Sequence, residues 1–386
     1  MKIVVALFGL MLSALPVSAQ DWPTKPVKIV VPFGPGSTPD VVARLIADHL
    51  QKKLGQSFTI DNKPGASGNI GTDAVAKAAP DGATIGISIG GPLAINTLLF
   101  SKLPYDPKTD IAPITQLVTQ PSALAVNSKV MVNSVAELIA LLKREPGKYN
   151  FGSIGNGSLS HLAMEAIALK SGASMVHVPY ASSPAAMTAI IRGDVQMGCL
   201  PAISVIPHAA SGAVKILAVS TARRSPYLPQ IPTLKEAGID VEADAWMGMI
   251  APAHTPEGIV AKIQREVVEA IGTEAVREKL AAQLMEPIGN SPAEFRARIE
   301  SEITRWAPVI RAANIKVNLS TAWFDLAWFD LAWFVGVWFG CSVGSDGNEH
   351  GSISRGQRGR VRHRTATSRA AIRMAEEASH AHRGGA

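Results

Sequence analysis

Four short segments rich in glycine, serine and proline each follow an apolar run and precede a helical pattern. In the first, residues 33–38 follow the apolar run 27–31, and Thr38 and Pro39 suit the N-cap and the first position of the next helix. The start of a helix presents backbone N–H groups that have no acceptor within the helix, and such groups bind anions. The segment therefore predicts an anion site formed by loop amides and hydroxyl groups.

Three more segments repeat this order. Residues 63–72 and 150–161 each lead into a helical pattern, and the weaker segment 176–184 has Ser183 as its cap and Pro184 in the first turn. Many βα loops use glycine and serine for turns and caps, so a single segment favours a structural role. Four of them in one chain favour a binding site made from loops.

The composition limits the class of protein. The chain has 386 residues, of which 47% are hydrophobic, so it can bury a core and form about two domains. The formal net charge is +6, but residues 341–386 carry eight arginines against four acidic residues, a net charge of +4. The rest of the chain is nearly neutral, and no nucleic-acid partner is expected.

The first 19 residues have the pattern of a cleavable signal peptide. Lys2 precedes the apolar stretch 4–15, and Ala19 ends a small-residue cleavage motif. We expect export to the periplasm and removal of residues 1–19. Cys199 and Cys341 are the only cysteines and do not make a disulfide framework, and Cys199 is predicted to be a small buried residue of a strand.

Strand-like and helical patterns alternate along most of the chain, which predicts an α/β fold with mainly parallel sheets. Two helical stretches, 256–284 and 291–312, follow, the second with Ser291 and Pro292 at its start. The predicted strands are 27–31, 57–60, 84–89, 122–126, 149–153, 175–178, 195–199 and 215–219.

Residues 319–386 differ from the rest of the chain. The unit Ala-Trp-Phe-Asp-Leu begins at Ala322 and repeats at Ala327, and an arginine-rich tail follows. Asp325 and Asp330 argue against a membrane span, because each would cost about 2.5–3.5 kcal/mol near a helix centre. We interpret the segment as sequence outside a folded domain, produced by an altered reading frame or an engineering scar. The alternative is an interfacial aromatic anchor with a basic tail.

Several motifs occur together in the order of a known family. They are KPVKIVVPFGPG at 25–36, PGASGNIG at 64–71, PDG at 80–82, HVPY at 177–180, GDV at 193–195 and WMG at 246–248. Through them, residues 21–317 resemble the Bug-type periplasmic receptors of tripartite tricarboxylate transporters.

The resemblance implies a two-lobed periplasmic binding protein of type II-like fold with its ligand cleft between the lobes. Domain 1 would comprise 20–121 and 221–318 and domain 2 would comprise 122–220, with hinges near 119–123 and 219–222. The resemblance also implies binding of a small carboxylate without catalysis, cofactor or metal, delivery to membrane subunits of a transporter, and a monomeric state.

Carried over residue by residue, the resemblance also implies a set of ligand-binding residues. Ser37 and Ser67 stand where the family usually has glycine. The solute, whether a di- or tricarboxylate, an acidic amino acid or an aromatic acid, therefore stays open. The implied ligand-binding residues are Phe33, Gly34, Pro35, Gly36, Ser37, Thr38, Ala66, Ser67, Asn69, Ser153, Gly155, Asn156, Gly157, Ser158, His161, Pro179, Tyr180 and Ala181.

A serine hydrolase is the alternative function. Residues 86–90 fit the GxSxG pattern of a nucleophile elbow around Ser88, and Asp194 and His208 follow in the chain order of an α/β-hydrolase triad. The same glycines are also typical of a strand that packs closely on a helix, and an HGGG-type oxyanion loop is not present in the sequence.

Overall fold

Two β-sheets, each covered by helices on both faces, form the frame of the part of the chain that the structure describes. The structure, a computed structural model, describes residues 22–317. The predicted signal peptide at 1–19, Cys341 and the repeat-rich segment 319–386 lie outside the described residues. None of the helices within residues 22–317 combines the length and apolar character needed to cross a membrane.

The strands divide between the sheets by their position in the chain. They are β1 Val27–Val31, β2 Phe58–Asn62, β3 Thr84–Ile89, β4 Ile111–Gln120, β5 Ser122–Asn127, β6 Asn150–Ser153, β7 Val176–Pro179, β8 Met197–Pro201, β9 Val214–Val219, β10 Ala245–Pro252 and β11 Glu286–Pro287. The first sheet has the order β11-β4-β10-β3-β1-β2, and the second has the order β7-β6-β8-β5-β9.

The two-lobed α/β fold is confirmed, but the expectation of mainly parallel sheets is wrong, because both sheets are mixed. In the first sheet β1 is parallel to β2 and β3, whereas β10 is antiparallel to β3 and β4. In the second sheet β6 is parallel to β7 and β8, whereas β5 is antiparallel to β8 and β9. The sequence patterns do not predict β4 and β10, which are buried along most of their length and so lack polar-apolar alternation.

The helices follow the strands in an alternating order. They are α1 Thr38–Leu54, α2 Asn69–Ala76, α3 Asn96–Leu99, α4 Val135–Arg144, α5 Leu159–Ser171, α6 Ser183–Arg192, α7 Ala202–Ala210, α8 Glu257–Gly272, α9 Glu274–Ala281 and α10 Pro292–Ala312. A π-helical turn, Gly91–Ile95, precedes α3.

Each sheet lies between two helical layers. In the first lobe, α1 buries Val42, Ile46 and Leu50 in one core with β1, β3 and α8, because residues four apart share one face of a helix. The other face of this sheet packs against α2 and the first half of α10. In the second lobe, α4 and α5 cover one face and α6 and α7 cover the other.

Helix α10 belongs to the cores of both lobes. Its Phe295 packs on the first sheet, and Trp306 lies in the core that contains Leu162 of α5. A capping box begins the helix, with the Ser291 hydroxyl accepting from the Glu294 N–H and the Glu294 carboxylate accepting from the Ser291 N–H. This start confirms the prediction made from the sequence. The predicted stretch 256–284 is instead two helices, α8 and α9, separated by extended backbone at Thr273.

The chain crosses between the lobes in two places. It passes from β4 to β5 through Pro121, and it returns between β9 and β10. The buried Ser220 joins the two crossings, since its hydroxyl accepts from the Ser122 N–H at 3.2 Å and donates to the Ala243 carbonyl at 2.9 Å. Cys199 is buried in β8, as predicted, and burial raises the pKa of its thiol to about 12.

Candidate functional site

The four glycine- and serine-rich segments lie at the carboxyl ends of parallel strands. Loop 1 (32–37) joins β1 to α1, loop 2 (63–68) joins β2 to α2, loop 3 (154–158) joins β6 to α5, and loop 4 (180–182) joins β7 to α6. In open α/β sheets, ligands bind outside this edge. Each lobe therefore contributes two loops to such an edge.

Loop 1 is fixed by the buried carboxylate of Asp40 in the first turn of α1. Asp40 accepts from the Gly36 N–H at 2.8 Å and from Asn62 Nδ2 at 2.9 Å, and it pairs with Arg44 through two contacts of 2.9 Å. The Arg44 guanidinium lowers the pKa of Asp40 to about 2. Arg44 is thus a partner of Asp40 and holds the loop from within.

The N-cap of α1 is Ser37, and the prediction of Thr38 at this position is wrong by one residue. Proline is accepted throughout the first turn, so Pro39 fits the second helical position as well as the first. The Ser37 hydroxyl is enclosed and has no hydrogen-bond partner among the described residues. The backbone N–H groups of Gly34 and Thr38 likewise have no acceptor there.

Loop 2 packs against loop 1 and against the π-helical turn. A Cβ on Gly68 would lie 2.8 Å from Pro92 and 3.1 Å from the Phe33 ring, so only glycine allows this approach. Ala66 and Ser67 have positive φ angles of 47° and 57°, a left-handed conformation that such residues adopt rarely. The exposed Ser67 has an N–H without an acceptor among the described residues.

Asn69, predicted as a ligand residue, is buried and bonded to other side chains. Its Oδ1 accepts from Asn96 Nδ2 at 2.7 Å and from the Tyr105 hydroxyl at 3.0 Å. Burial raises the pKa of Tyr105, so this hydroxyl stays a donor. Asn96 and Tyr105 are not predicted from the sequence, because they come together with Asn69 only through the fold.

Ser153 and the amides of loop 3 are largely satisfied within the protein. The buried Ser153 hydroxyl lies 2.6 Å from His177 Nε2 and accepts from the Gly155 N–H at 3.2 Å. The Gly157 N–H donates to His161 Nδ1 at 3.1 Å, so the buried His161 holds the loop from below. His177 is a further residue that the sequence analysis did not select.

The donors that remain in loop 3 lie at its centre and at the start of α5. Ser158 is the N-cap, and its hydroxyl accepts from the His161 N–H at 3.3 Å. The N–H groups of Asn156, Leu159 and Ser160 have no acceptor among the described residues. These three amides can bind an anion without breaking an existing hydrogen bond.

Loop 4 is bonded to the last residue of β6. The Tyr180 N–H donates to the Ser153 carbonyl at 2.9 Å, and a Cβ on Gly152 would lie 3.3 Å from the Tyr180 ring. Ser182, with its hydroxyl 3.4 Å from the Ala185 nitrogen, is the N-cap of α6, so the prediction of Ser183 is wrong by one residue. Pro179 and Ala181 are exposed beside it.

Loop 3 contacts segments of the first lobe. A Cβ on Gly157 would lie 2.6 Å from Leu99 of α3, and Asn156 Nδ2 donates to the Lys316 carbonyl at 3.0 Å. Since the π-helical turn before α3 contacts loop 2, loops 2 and 3 flank the same short segment of the chain.

Three surface cavities, of about 490, 200 and 550 Å³, lie elsewhere. The first is beside α7 and β9, the second is at the crossings between the lobes, and the third includes Asn127 and Gly193 of the second lobe. None of their lining residues belongs to loops 1–4. The free amides, and not the cavities, therefore define the candidate site.

The hydrolase alternative lacks a nucleophile elbow. Ser88 lies within β3, is fully buried, and has its hydroxyl 2.8 Å from that of Thr72. A Cβ on Gly86 would lie 2.5 Å from Val75, so this glycine allows α2 to pack on the strand. Asp194 and His208 flank strands of the other sheet. No observation on the described residues supports hydrolysis at Ser88.

Comparison with known proteins assigns the family. Residues 42–315 match the model of the tripartite tricarboxylate transporter family receptor. BugT of Bordetella pertussis is 37% identical over 306 residues, which are 79% of this chain and 94% of BugT. A solved structure of R. palustris Rpa4515 with adipate shares 37% sequence identity with this chain and has a TM-score of 0.66. The match covers 77% of this chain and 99% of the Rpa4515 chain.

A second solved structure supports the same assignment. The structure of MatC from Rhodopseudomonas palustris with bound malate shares 31% sequence identity with this chain and has a TM-score of 0.62. The match covers 75% of this chain and 100% of the MatC chain. Members of this family are periplasmic receptors that serve transporters and are not enzymes. From its sequence, its fold and these matches, the chain belongs to the tripartite tricarboxylate transporter receptor family.

Proposed function

We propose that this chain is an extracytoplasmic receptor that binds a small carboxylate between its lobes and delivers it to the membrane subunits of a tripartite transporter. The observation that carries the proposal is the set of free backbone N–H groups at the starts of α1 and α5, one helix from each lobe. Helix starts favour negative charge through their dipoles and their unpaired donors.

The strength of such contacts is sufficient for a receptor. Micromolar affinity corresponds to about 8 kcal/mol. A hydrogen bond to a charged group contributes roughly 1.5–3 kcal/mol, and a helix start adds up to about 2 kcal/mol in a partly buried site. Four or five contacts therefore reach this affinity without an arginine, after ordering of the ligand is included.

The related structures narrow the class of acid to test first. Adipate and malate, the acids present in the structures of two relatives, are both dicarboxylates. Loops from two lobes suit a ligand with a charged group at each end. We therefore propose dicarboxylates as the first candidate ligands, ahead of tricarboxylates, acidic amino acids and aromatic acids.

Closure of the lobes would bring the donors onto one acid. We propose domain 1 at 20–121 and 221–318, domain 2 at 122–220, and hinges at 119–123 and 219–222. The Ser220 hydroxyl, which bonds to both crossing segments, supports the hinge positions. A monomer exported by the signal peptide at 1–19 would present the closed form to its membrane partner.

A panel of acids tests this function. The thermal unfolding of the full chain, isolated after export, is measured in the presence of adipate, malate, citrate, glutamate or benzoate. Binding of each acid is measured separately by calorimetric titration of the folded protein. An acid at about a hundred times its dissociation constant should raise the free energy of unfolding by about 2.7 kcal/mol. Hydrolysis of a p-nitrophenyl ester that disappears in Ser88→Ala, with no acid bound, would contradict the proposal.

A further inference from the structure

A stack of three aromatic rings lies directly beneath loop 3. Phe151 of β6 and His177 of β7 are register partners, and their ring centroids are 5.0 Å apart. On the side of α5, the His161 ring lies 3.6 Å from His177 with only 10° between the ring planes. His177 therefore contacts both a strand partner and the helix that follows the loop.

Each imidazole of the stack is hydrogen-bonded to one residue of the segment 153–157. His161 Nδ1 accepts from the Gly157 N–H, so the neutral ring carries its proton on Nε2, which faces Glu165 Oε1 at 3.5 Å. His177 Nε2 lies 2.6 Å from the Ser153 hydroxyl. The same hydroxyl accepts from the Gly155 N–H at 3.2 Å and lies 3.1 Å from the Gly155 carbonyl, so its proton has two acceptors in reach, that carbonyl and a neutral His177 Nε2.

The surroundings of His177 favour its neutral form. Burial and the stacked His161 lower the pKa of His177 to about 4, and the Glu165 carboxylate opposes them only in part. His161 and Glu165 come from α5, and Ser153 comes from β6. At neutral pH His177 is therefore uncharged. In one tautomer its Nε2 accepts from the Ser153 hydroxyl, and in the other its Nε2–H donates to that hydroxyl, which then donates to the Gly155 carbonyl. In both tautomers hydrogen bonds link Gly155, Ser153 and His177.

We propose that His177 is a positioning residue of the binding site, which fixes Ser153 and Gly155 and thereby leaves the amides of Asn156, Leu159 and Ser160 as the donors of loop 3 and the start of α5. The proposal rests on the proposed carboxylate-binding function and adds to it a residue that would not itself touch the acid. His161 holds the other side of the loop through Gly157.

Two substitutions separate the hydrogen bond from the ring stack. His177→Phe keeps an aromatic ring against Phe151 and His161 but removes the ring nitrogen that is hydrogen-bonded to the Ser153 hydroxyl. His177→Gln loses the stack but can place an amide oxygen close to the position of Nε2. If the hydrogen bond positions the loop, the glutamine variant should behave like the native chain and the phenylalanine variant should not.

The first readout needs no acid. Amide hydrogen exchange of Gly155 in the full chain should become at least fivefold faster in His177→Phe and in Ser153→Ala, and should stay within twofold of native in His177→Gln. Unfolding by urea at neutral pH establishes that each variant is folded. Native-like exchange in His177→Phe would overturn the proposal, whatever the exchange in Ser153→Ala.

The second readout is adipate affinity by calorimetry. His177→Phe and Ser153→Ala should each weaken adipate binding about tenfold, and the double variant should be no weaker than either one, because both remove the same bond. Equal losses in His177→Phe and His177→Gln would overturn the positioning role. If the native chain binds none of the acids tested, the proposed function fails, whereas the exchange comparison still decides the role of His177.

Discussion

At the scale of single residues, the candidate site separates side chains that hold the loops from backbone groups that are free to bind. Asp40, Asn69, Ser153 and His161 are all buried and hydrogen-bonded within the protein. The N–H groups without acceptors among the described residues lie in loops 1–3 and at the starts of α1 and α5. These four residues therefore support the loops, and direct contact with the acid stays a prediction for every residue of the predicted set.

The carboxylate of Asp40 should stabilise the protein in a pH-dependent way. Its folded pKa of about 2 lies below the ordinary value of 3.8. Its contribution to the free energy of unfolding is therefore complete above about pH 4 and is lost as the pH falls from about 4 to about 2. Asp40→Asn should lower the free energy of unfolding by about 1–3 kcal/mol at pH 7, because it replaces charged hydrogen bonds.

Urea unfolding at pH 7 and at several values down to pH 2 measures this effect. The matched control is Asp48→Asn on the exposed part of the same helix, which should change the free energy of unfolding by less than about 0.5 kcal/mol. A variant at Asp40 as stable as native at pH 7 would show that the ion pair with Arg44 does not hold loop 1.

At the scale of elements, the protein depends on close approach between strands and helices. In β10, a Cβ on Gly248 would lie 2.0 Å from the buried ring of Phe295 in α10. This contact helps to join α10 to the first sheet. Because the ring is enclosed on all sides, it cannot move away without disturbing the core.

Gly248→Ala should therefore lower the free energy of unfolding by about 1–3 kcal/mol through overpacking. Gly258→Ala in α8 is the control, since a Cβ there meets nothing within 4 Å. It should raise stability by up to about 1 kcal/mol, because alanine favours the helix. Chemical denaturation measures the free energy of unfolding of both variants. Equal stability of Gly248→Ala and Gly258→Ala would contradict the packing described for α10.

The sequence predicts elements well where the signal is local. The apolar runs of β1 and β3 and the cap of α10 at Ser291 are predicted with their observed limits or start. Strands β4 and β10 are missed because they are buried and show no alternation. Helix caps are displaced by one residue where a proline fits several positions of the first turn.

The sequence could not predict which backbone amides of the loops are hydrogen-bonded within the protein and which stay free. Gly155 is fixed through Ser153 by His177, which is 24 residues from Ser153 in the chain. Asn69 is bonded to Asn96 at a separation of 27 residues. Such contacts depend on which strands become neighbours, so the sequence located the loops but not the donors within them that stay free.

At the scale of the whole molecule, two lobes are joined by the crossings and by α10. The segment before β10 is held to α10 by Arg298, which contacts Glu242 at 2.5 Å and Asp244 at 2.6 Å. Ser220 links both crossings at a fully buried position. These contacts set the relative position of the segments about which the lobes would close.

Ser220→Ala should lower the free energy of unfolding by about 1–3 kcal/mol, because it leaves the buried Ser122 N–H without its side-chain partner. Ser211→Ala, at an exposed turn whose hydroxyl donates to the His208 carbonyl, is the control and should be nearly neutral. Thermal and urea unfolding compare the two, and a neutral effect at Ser220 would exclude this bond as a link between the crossings.

The central claim is that backbone amides of both lobes bind one acid. The most direct test is calorimetric titration with adipate of variants at the first helical positions of α1 and α5. Thr38→Pro and Leu159→Pro each remove one free N–H at a position where proline suits a helix, and Thr38→Ala and Leu159→Ala keep it. Each proline variant should bind adipate at least tenfold more weakly than the native chain, and each alanine variant should stay within threefold of it. Proline variants that bind as tightly as their alanine partners, in either lobe, would contradict the account.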